Sequence, residues 1–448
     1  MDPTRLYVAP TGATNPLDQK YDIFDTVGNR RVNLFGFSFF DEVGGVLPGG
    51  TGLDLLSSQD TALPGTDRFS MTFNDYFATL KSYKVNYLRL FVFNPYNVRV
   101  VPFLIAPQHP GKYNLSLVSG TYLSRLDEFV GAAKSHGIVV CISLSSKQAI
   151  ESPGFASNPF QFNNNTNGVI VDDAGNAVAN ATKFYCDIQE PNDPHPVQRK
   201  ILLGSLQRGL FDAIVGATMK HWNVMYELFN EPHSGITHVR EWHRIVAGWL
   251  HQKLVDPATG KRRRLVSISS VDDLLDERSS PGFTCFLDGL GIGPSPVGPP
   301  LVDVLSYHGG GTPNPSQWGG YGGGTGSLCD GTQPTPVDQI INGNNVAQKH
   351  QRGIIDAMHR LPFAPVALIF DTDSHYIAQR YPGVFAQEVL NVDGSFNQRW
   401  SPAYLYKIDE AQGPCTKVTV PPDNHHLLGL GERLQKMHVL NASRITVF

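Results

Sequence analysis

Trp222-Asn223-Val224-Met225-Tyr226-Glu227-Leu228-Phe229-Asn230-Glu231-Pro232 is the stretch whose reading decides the fold. Val224, Tyr226, Leu228 and their neighbours form a nearly continuous apolar run, which is how a strand buried on both faces of a parallel sheet reads. Polar residues gather only at the C-terminal end, as Asn230-Glu231, and parallel barrels carry their chemistry at that end. Pro232 cannot donate to a ladder, so the strand is expected to stop there. A plain turn needs no carboxylate, and Glu231 therefore becomes a candidate acid or base.

Working outward, strands and amphipathic helices alternate, the pattern of a parallel α/β architecture. Val32 to Phe40 reads as a first strand. Asn74 to Lys84 reads as a helix with Asn74 as its N-cap, and Asn86 to Phe93 as a second strand. Tyr122 to His136 places Leu123, Leu126, Phe129 and Val130 on one stripe and ends at Gly137, with Ile138 to Leu144 as the third strand. An Asn-, Gly- and Pro-rich insertion, Ser145 to Pro196, precedes a helix from Gln198 to Met219 and then the Asn-Glu-Pro strand. Insertions of this length at strand ends usually shape a cleft.

Beyond it, Thr237 to Leu254 reads as a helix, Arg264 to Ser270 as strand five, Val302 to Tyr307 as strand six and Val366 to Phe370 as strand seven. Val337 to His359 and Leu427 to Leu440 read as helices. The eighth strand falls either between Phe396 and Ile408 or near Lys417 to Val420. The count predicts a (β/α)8 barrel with long insertions after its strands. No repeat or linker-like composition divides the chain, so residues 1–448 are expected to form one domain.

Composition agrees with a large ordered core: 41% of the 448 residues are hydrophobic and 17% charged, with 44 Gly and 32 Pro to build loops. A formal net charge of −4 provides no basic field for nucleic acid. The dense run Lys261-Arg262-Arg263-Arg264 reads as a solvated turn before a strand. No apolar run is long enough for a membrane span, and Met1 to Lys20 lacks the features of a signal peptide, so a soluble chain is expected, with its compartment left open. Five cysteines at 141, 186, 285, 329 and 415 show neither Cys-x-x-Cys spacing nor an even count, which argues against a zinc ribbon and a disulfide framework.

At three places the chain resembles the retaining glycoside hydrolases of the (β/α)8 clan that contains the family 5 cellulases and mannanases. Phe229-Asn230-Glu231-Pro232 is similar to the clan's strand-four motif, which implies Glu231 as general acid/base and Asn230 as a partner of the sugar 2-hydroxyl. Tyr87-Leu88-Arg89-Leu90 resembles the strand-two motif, implying that Arg89 supports the nucleophilic carboxylate. Ser306-Tyr307-His308 resembles the end of strand six, implying that Tyr307 and His308 line the centre. The resemblance spans about Val32 to Asp373 and implies a poly- or oligosaccharide substrate and no cofactor.

Acetal cleavage needs one carboxylic acid to protonate the leaving oxygen and a second carboxylate to stabilise or trap the oxocarbenium-like sugar. The clan places that second group, a Glu, at the end of strand seven. This chain reads Ala364-Pro365-Val366-Ala367-Leu368-Ile369-Phe370-Asp371-Thr372-Asp373-Ser374-His375, with no Glu. Asp371 and Asp373 occupy the region and, being two apart, share a face in a continuing strand. An Asp carboxylate sits about 1.5 Å further back than a Glu. Retaining enzymes hold their pair about 5 to 5.5 Å apart and inverting enzymes about 6.5 to 9.5 Å, so the shorter side chain bears on stereochemistry; retention is the expectation.

Glu227 lies on the same strand face as Glu231, either paired with a base or raising the pKa of Glu231. Leu144-Ser145-Ser146-Lys147 lacks the histidine that many members of the clan carry at that exit. Trp318, Tyr321, Phe37, Phe39, Phe40, Tyr96 and Trp400 are candidates to stack on sugar faces. Two other readings stand beside the glycosidase. A non-catalytic glycan-binding barrel keeps the cleft without the chemistry, and a metal-assisted hydrolase would use Asp371, Asp373 and His375 with His308 as ligands.

Overall fold

The structure is a computed structural model that describes residues 4–12, 21–32, 34–39, 73–82, 85–93, 101–152, 154–232, 235–269, 286–293, 295–308, 367–372 and 404–407. It begins with three short strands, β1 (Leu6–Pro10), β2 (Tyr21–Asp25) and β3 (Arg30–Arg31), paired antiparallel as a small sheet. β4 (Phe35–Phe39), α1 (Phe73–Ser82) and β5 (Tyr87–Phe91) follow. A hairpin of β6 (Phe103–Ile105) and β7 (Tyr113–Val118) precedes α2 (Gly120–Ser135) and β8 (Val139–Ser143). A short α3 (Lys147–Ile150) opens the long insertion, and α4 (Gln198–Thr218), β9 (Val224–Glu227), α5 (Val239–Leu254) and β10 (Val266–Ser269) continue the alternation. β11 (Val304–His308), β12 (Ala367–Thr372) and β13 (Tyr404–Lys407) complete the described strands.

Eight of these strands pair in parallel and close on themselves, in the order β4, β5, β8, β9, β10, β11, β12, β13 and back to β4. The registers displace the chain by eight residues over one circuit, the stagger that lets an eight-stranded parallel sheet close. Helices between strands are described in the first half of the ring. The helices expected at Val337 to His359 and Leu427 to Leu440 lie outside the described residues. The eighth strand falls within the first of the two expected ranges.

Alternation along each strand divides the apolar residues between two layers. Leu88, Leu90, Val140, Ile142, Val224, Tyr226, Val266 and Ile268 point outward into the helix layer, where Phe77, Leu126, Phe129, Leu210, Ile214 and Trp242 meet them. Tyr87, Val139, Cys141, Met225, Val304 and Ala367 form the separate inner cluster, at the N-terminal ends of their strands. Leu6, Ile23, Val32 and Leu34 join that inner cluster. The leading sheet therefore stoppers the N-terminal end of the barrel, a role that its short strands do not reveal in sequence. Arg5 reinforces it, bonding Asp25 at 3.0 Å and stacking 4.0 Å from the Trp222 ring centroid.

Several boundaries differ from expectation for identifiable reasons. α1 starts at Phe73, so Asn74 is inside the helix, where its Oδ1 lies 2.8 Å from His136 Nε2. The basic run is no solvated turn: Arg262 binds Asp303 and the Pro300 carbonyl, Arg263 pairs with Asp256, and Arg264 is buried. α2 ends as its sequence indicates, with Gly137 taking a φ of 70°, but it starts at Gly120, two residues before the expected Tyr122, because Ser119 caps the Tyr122 N–H. Cys141 and Cys186 are free and buried. No helix among the described residues is long and apolar enough to cross a membrane.

Candidate active site

The inner face of the barrel changes character along each strand. Below lie Tyr87, Cys141 and Met225; one step on, the same face carries Arg89, Ser143 and Glu227, with Ser267, Ser269 and Ser306 alongside, all buried. Arg89 and Glu227 are each 1% exposed, and the Arg89 Nε–H donates to Glu227 Oε2 at 2.8 Å. A buried ion pair persists only when its remaining donors are also satisfied. Arg89 Nη2 accordingly donates to Asn230 Oδ1 and approaches Ser269 Oγ at 3.5 Å, while the guanidinium lies 5.2 Å from the Phe91 ring centroid. The base-paired alternative for Glu227 is thus the one found. Beneath this layer burial pushes the Cys141 thiol up to about 12 and the Tyr87 phenol well above its usual value, so both stay neutral.

The ladder of β9 ends at Glu227, short of Pro232, because the chain changes partners. Leu228 N–H still bonds the Ser267 carbonyl at 3.0 Å, but Asn230 N–H bonds Ser145 O at 2.8 Å and Asn230 O accepts from Lys147 N–H at 3.0 Å. The exit of β8 is thereby stitched to the Asn-Glu-Pro segment. Glu231 then takes a φ of 51°, a left-handed backbone uncommon for a residue with a Cβ, and this turns the chain before Pro232. Its N–H lies 3.4 Å from Ser269 Oγ. Strain of this kind persists where surrounding bonds enforce it, and here they orient a half-buried carboxylate at the mouth of the barrel.

Gln148, on α3, completes the constellation. Its Nε2 donates to Glu231 Oε2, and its Oε1 accepts from Ser146 Oγ at 2.7 Å and from Asn230 Nδ2 at 3.3 Å. The neighbouring Leu144-Ser145-Ser146-Lys147 is notable in sequence only for lacking a histidine, and Gln148 carries no mark of its own. Nothing in local spacing marks a glutamine 83 residues from its partner; only the closure of the barrel brings them together.

The insertion after β8 is anchored by aromatic rings. Phe160 stands edge-on to Phe93, Phe103 and Tyr185, with centroids 5.7 to 6.0 Å apart. Tyr185 continues to Phe229 at 6.2 Å, and Phe229 to Trp242 at 5.4 Å. Trp242 donates Nε1–H to Gln207 Oε1 at 2.7 Å, whose amide in turn donates to the Tyr185 carbonyl at 2.8 Å. The insertion is therefore fastened to the same strand end that carries Glu231.

His308 and Asp371 are register partners at the C-terminal ends of β11 and β12, two and three strands round the ring from β9. Asp371 is also paired with Leu405 of β13. Asp371 lies four residues beyond Ala367 on β12, and the Ala367 side chain belongs to the inner cluster. For Tyr307, His308, Asp371, Phe37 and Phe39 the description is of backbone only. Asp373, His375, Trp318, Trp400, Tyr321, Tyr96 and Phe40 lie outside the described residues. Among the described residues, no three His, Cys, Asp or Glu side chains gather as a metal site.

No protein-family model and no curated protein sequence matches the chain. Among solved structures it is similar to the endo-1,4-beta-mannanase from Rhizomucor miehei, at 11% identity and a TM-score of 0.47, covering 97% of this chain and 99% of that one. It is also similar to endo-glycoceramidase II from Rhodococcus sp., at 14% identity and a TM-score of 0.44 over 91% and 78% of the two chains. A third similarity is to the cellulose synthase subunit Z of Clostridioides difficile, at 11% identity and a TM-score of 0.39 over 88% and 98%. At these identities and scores the likenesses fix neither an activity nor a site.

Proposed function

We propose that the chain is a glycosidase that hydrolyses O-glycosidic bonds in a poly- or oligosaccharide, built as a single (β/α)8 domain over residues 1–448. The observation that carries this reading is the carboxylate of Glu231, turned into the barrel mouth by a left-handed residue and bonded by Gln148, above a buried Glu227–Arg89–Asn230 chain. Glu231 acts as the general acid that protonates the leaving oxygen, then as the base that activates water. Asp371 or Asp373 acts as the second carboxylate. Support for Asp371 comes from its register beside His308 at the strand end, three strands round the ring from β9.

Asn230, 1% exposed like Arg89 and Glu227, has its side chain committed to Arg89, Ser146 and Gln148. All three act from beneath as positioning residues, and the substrate contacts fall to Tyr307, His308, His375, Trp318 and Trp400. Retention is the proposed outcome, with the second Asp as nucleophile; the anomer of the first-formed product, read by NMR, tests it. No cofactor enters this mechanism.

The absence of a Glu between Ala364 and His375 favours a second reading, a glycan-binding barrel without turnover. Reducing-end release from a broad panel of plant, algal and microbial glycans separates the two. The glycosidase reading predicts release by wild type and its loss in Asp371→Asn or Asp373→Asn. Binding of a glycan with no release from any would establish the non-catalytic barrel.

A further inference from the structure

We infer that Gln148 is a positioning residue for Glu231: it bonds one carboxylate oxygen, Oε2, through an N–H whose direction is set from the barrel floor, and so assigns proton transfer to Oε1. This deepens the proposed glycosidase reading and rests on it for its catalytic consequence, although the effect on Glu231 itself does not.

The direction of the chain of bonds follows from donor and acceptor chemistry. A guanidinium can only donate, so Arg89, fixed by Glu227 at 2.8 Å, requires the oxygen of the Asn230 side chain to face it. The amide nitrogen of Asn230 must then face outward, toward Gln148 Oε1 at 3.3 Å and Ser146 Oγ at 3.4 Å. With its oxygen committed to Asn230 and to the Ser146 hydroxyl at 2.7 Å, Gln148 has only N–H to present to Glu231. Each amide is locked by its neighbour, and the sequence Glu227, Arg89, Asn230, Gln148, Glu231 carries a defined polarity from a buried ion pair to the barrel mouth.

That polarity has chemical consequences. An N–H donor favours the ionised carboxylate over the acid. A general acid must nevertheless carry a proton when the leaving group departs, and a proton on Oε2 would face the Gln148 N–H. The proton therefore resides on Oε1, and the rotation of the carboxyl that would scramble the two oxygens is opposed by the bond to Oε2. Gln148 needs no contact with the sugar for this. It adjusts how readily Glu231 gives up its proton and which oxygen holds it.

The test uses the full chain and two variants, Gln148→Leu, which removes the donor, and Gln148→Glu, which replaces it with a carboxylate. The first readout needs no substrate: the Glu231 side chain is titrated by carboxyl-carbon NMR, assigned with Glu231→Gln. Its midpoint should move to higher pH in Gln148→Leu and further in Gln148→Glu, where a second negative charge adjoins it. An unmoved midpoint in a variant whose amide spectrum matches wild type would overturn the inference.

The second readout is kcat/KM against pH on methyl and 2,4-dinitrophenyl β-glucosides and β-mannosides. Gln148→Leu should move the basic limb upward and lose about ten- to hundredfold on the methyl glycoside, with a much smaller loss on the dinitrophenyl glycoside, which needs little acid assistance. Equal losses on both, with the limb unmoved, would mark Gln148 as merely structural and overturn the inference. A shifted NMR midpoint in a protein that hydrolyses neither these probes nor any glycan would uphold the positioning of Glu231 while removing the glycosidase reading.

Discussion

Arg89 and Glu227 form an ion pair across 138 residues of sequence, each 1% exposed, with Nε and Oε2 2.8 Å apart. The pair joins β5 to β9, two strands of the ring that are separated by β8, from inside the barrel. Its position one layer above Tyr87, Cys141 and Met225 marks where the interior changes from apolar packing to polar chemistry. Removing one partner leaves the other charge buried without its counter-ion. Glu227→Ala is therefore expected to lose about 3 to 5 kcal/mol of stability. Urea unfolding checks this, and a variant within 1 kcal/mol of wild type would show that the pair does not hold the barrel.

His243 makes stability depend on pH. It lies buried on α5 among Phe229, Trp242 and Phe286, with Nδ1 2.6 Å from the Val239 carbonyl and no partner for Nε2 among the described residues. Burial pushes its pKa down to about 4, only partly opposed by the bond to Val239. The folded imidazole thus stays neutral while the unfolded one protonates near 6.5, so the unfolded state binds more protons between those values. Stability contributed by the neutral ring is present above the unfolded pKa and is lost as pH falls from about 6.5 toward 4, by about 3 kcal/mol in total. His243→Phe should flatten the dependence of Tm on pH across that window; an unchanged slope would contradict the assignment.

Asp22 acts in the opposite sense at the other end of the barrel. It is buried on β2 with Arg31 as its ion partner, and desolvation raises its pKa to about 6 in spite of that arginine. Here the folded state binds more protons than the unfolded state between the ordinary aspartate range and about 6, so this group destabilises the stopper sheet as pH rises through that window. Asp22→Asn removes the titration. Its stability should change less steeply with pH between about 4 and 6 than wild type does, which differential scanning calorimetry at several pH values would show. A slope equal to that of wild type would count against a raised Asp22.

Asn223 tests how β9 is aimed. Its Nδ2 donates to Val130 O at 3.1 Å and Ile138 O at 2.8 Å, tying the start of the strand to α2 and to the residue that leads into β8. Asn223→Leu is expected to lose about 1 to 3 kcal/mol by leaving these carbonyls without that donor. Because the tie sits at the opposite end of the strand from Glu231, glycosidase activity per folded molecule should fall much less than in Glu231→Gln.

The barrel was legible because its strands are short apolar runs and its helices carry apolar stripes, and those periods survive in the linear sequence. Tyr404–Lys407 was only bracketed, since four residues give too little alternation to fix a strand. The stopper sheet and the Phe103 to Val118 hairpin were not foreseen. Their strands are short and partly exposed, and Arg30-Arg31 reads as a polar turn. At the site, Glu231 and Glu227 could be singled out from their places at or just beyond the end of a buried apolar strand, whereas Arg89 and Asn230 were marked by the resemblance of Tyr87-Leu88-Arg89-Leu90 and Phe229-Asn230-Glu231-Pro232 to the clan's motifs. Gln148 could not be singled out, because its role exists only through partners brought near by folding.

Glu231 is the residue on which the functional account depends, and Glu231→Gln is the most direct test. The amide keeps the size of the side chain but cannot donate the catalytic proton. On whichever glycan wild type cleaves fastest, kcat/KM should fall by about 10² to 10⁴-fold with Tm held close to wild type. Activity within tenfold of wild type in a folded variant would contradict the assignment of Glu231 as the acid/base.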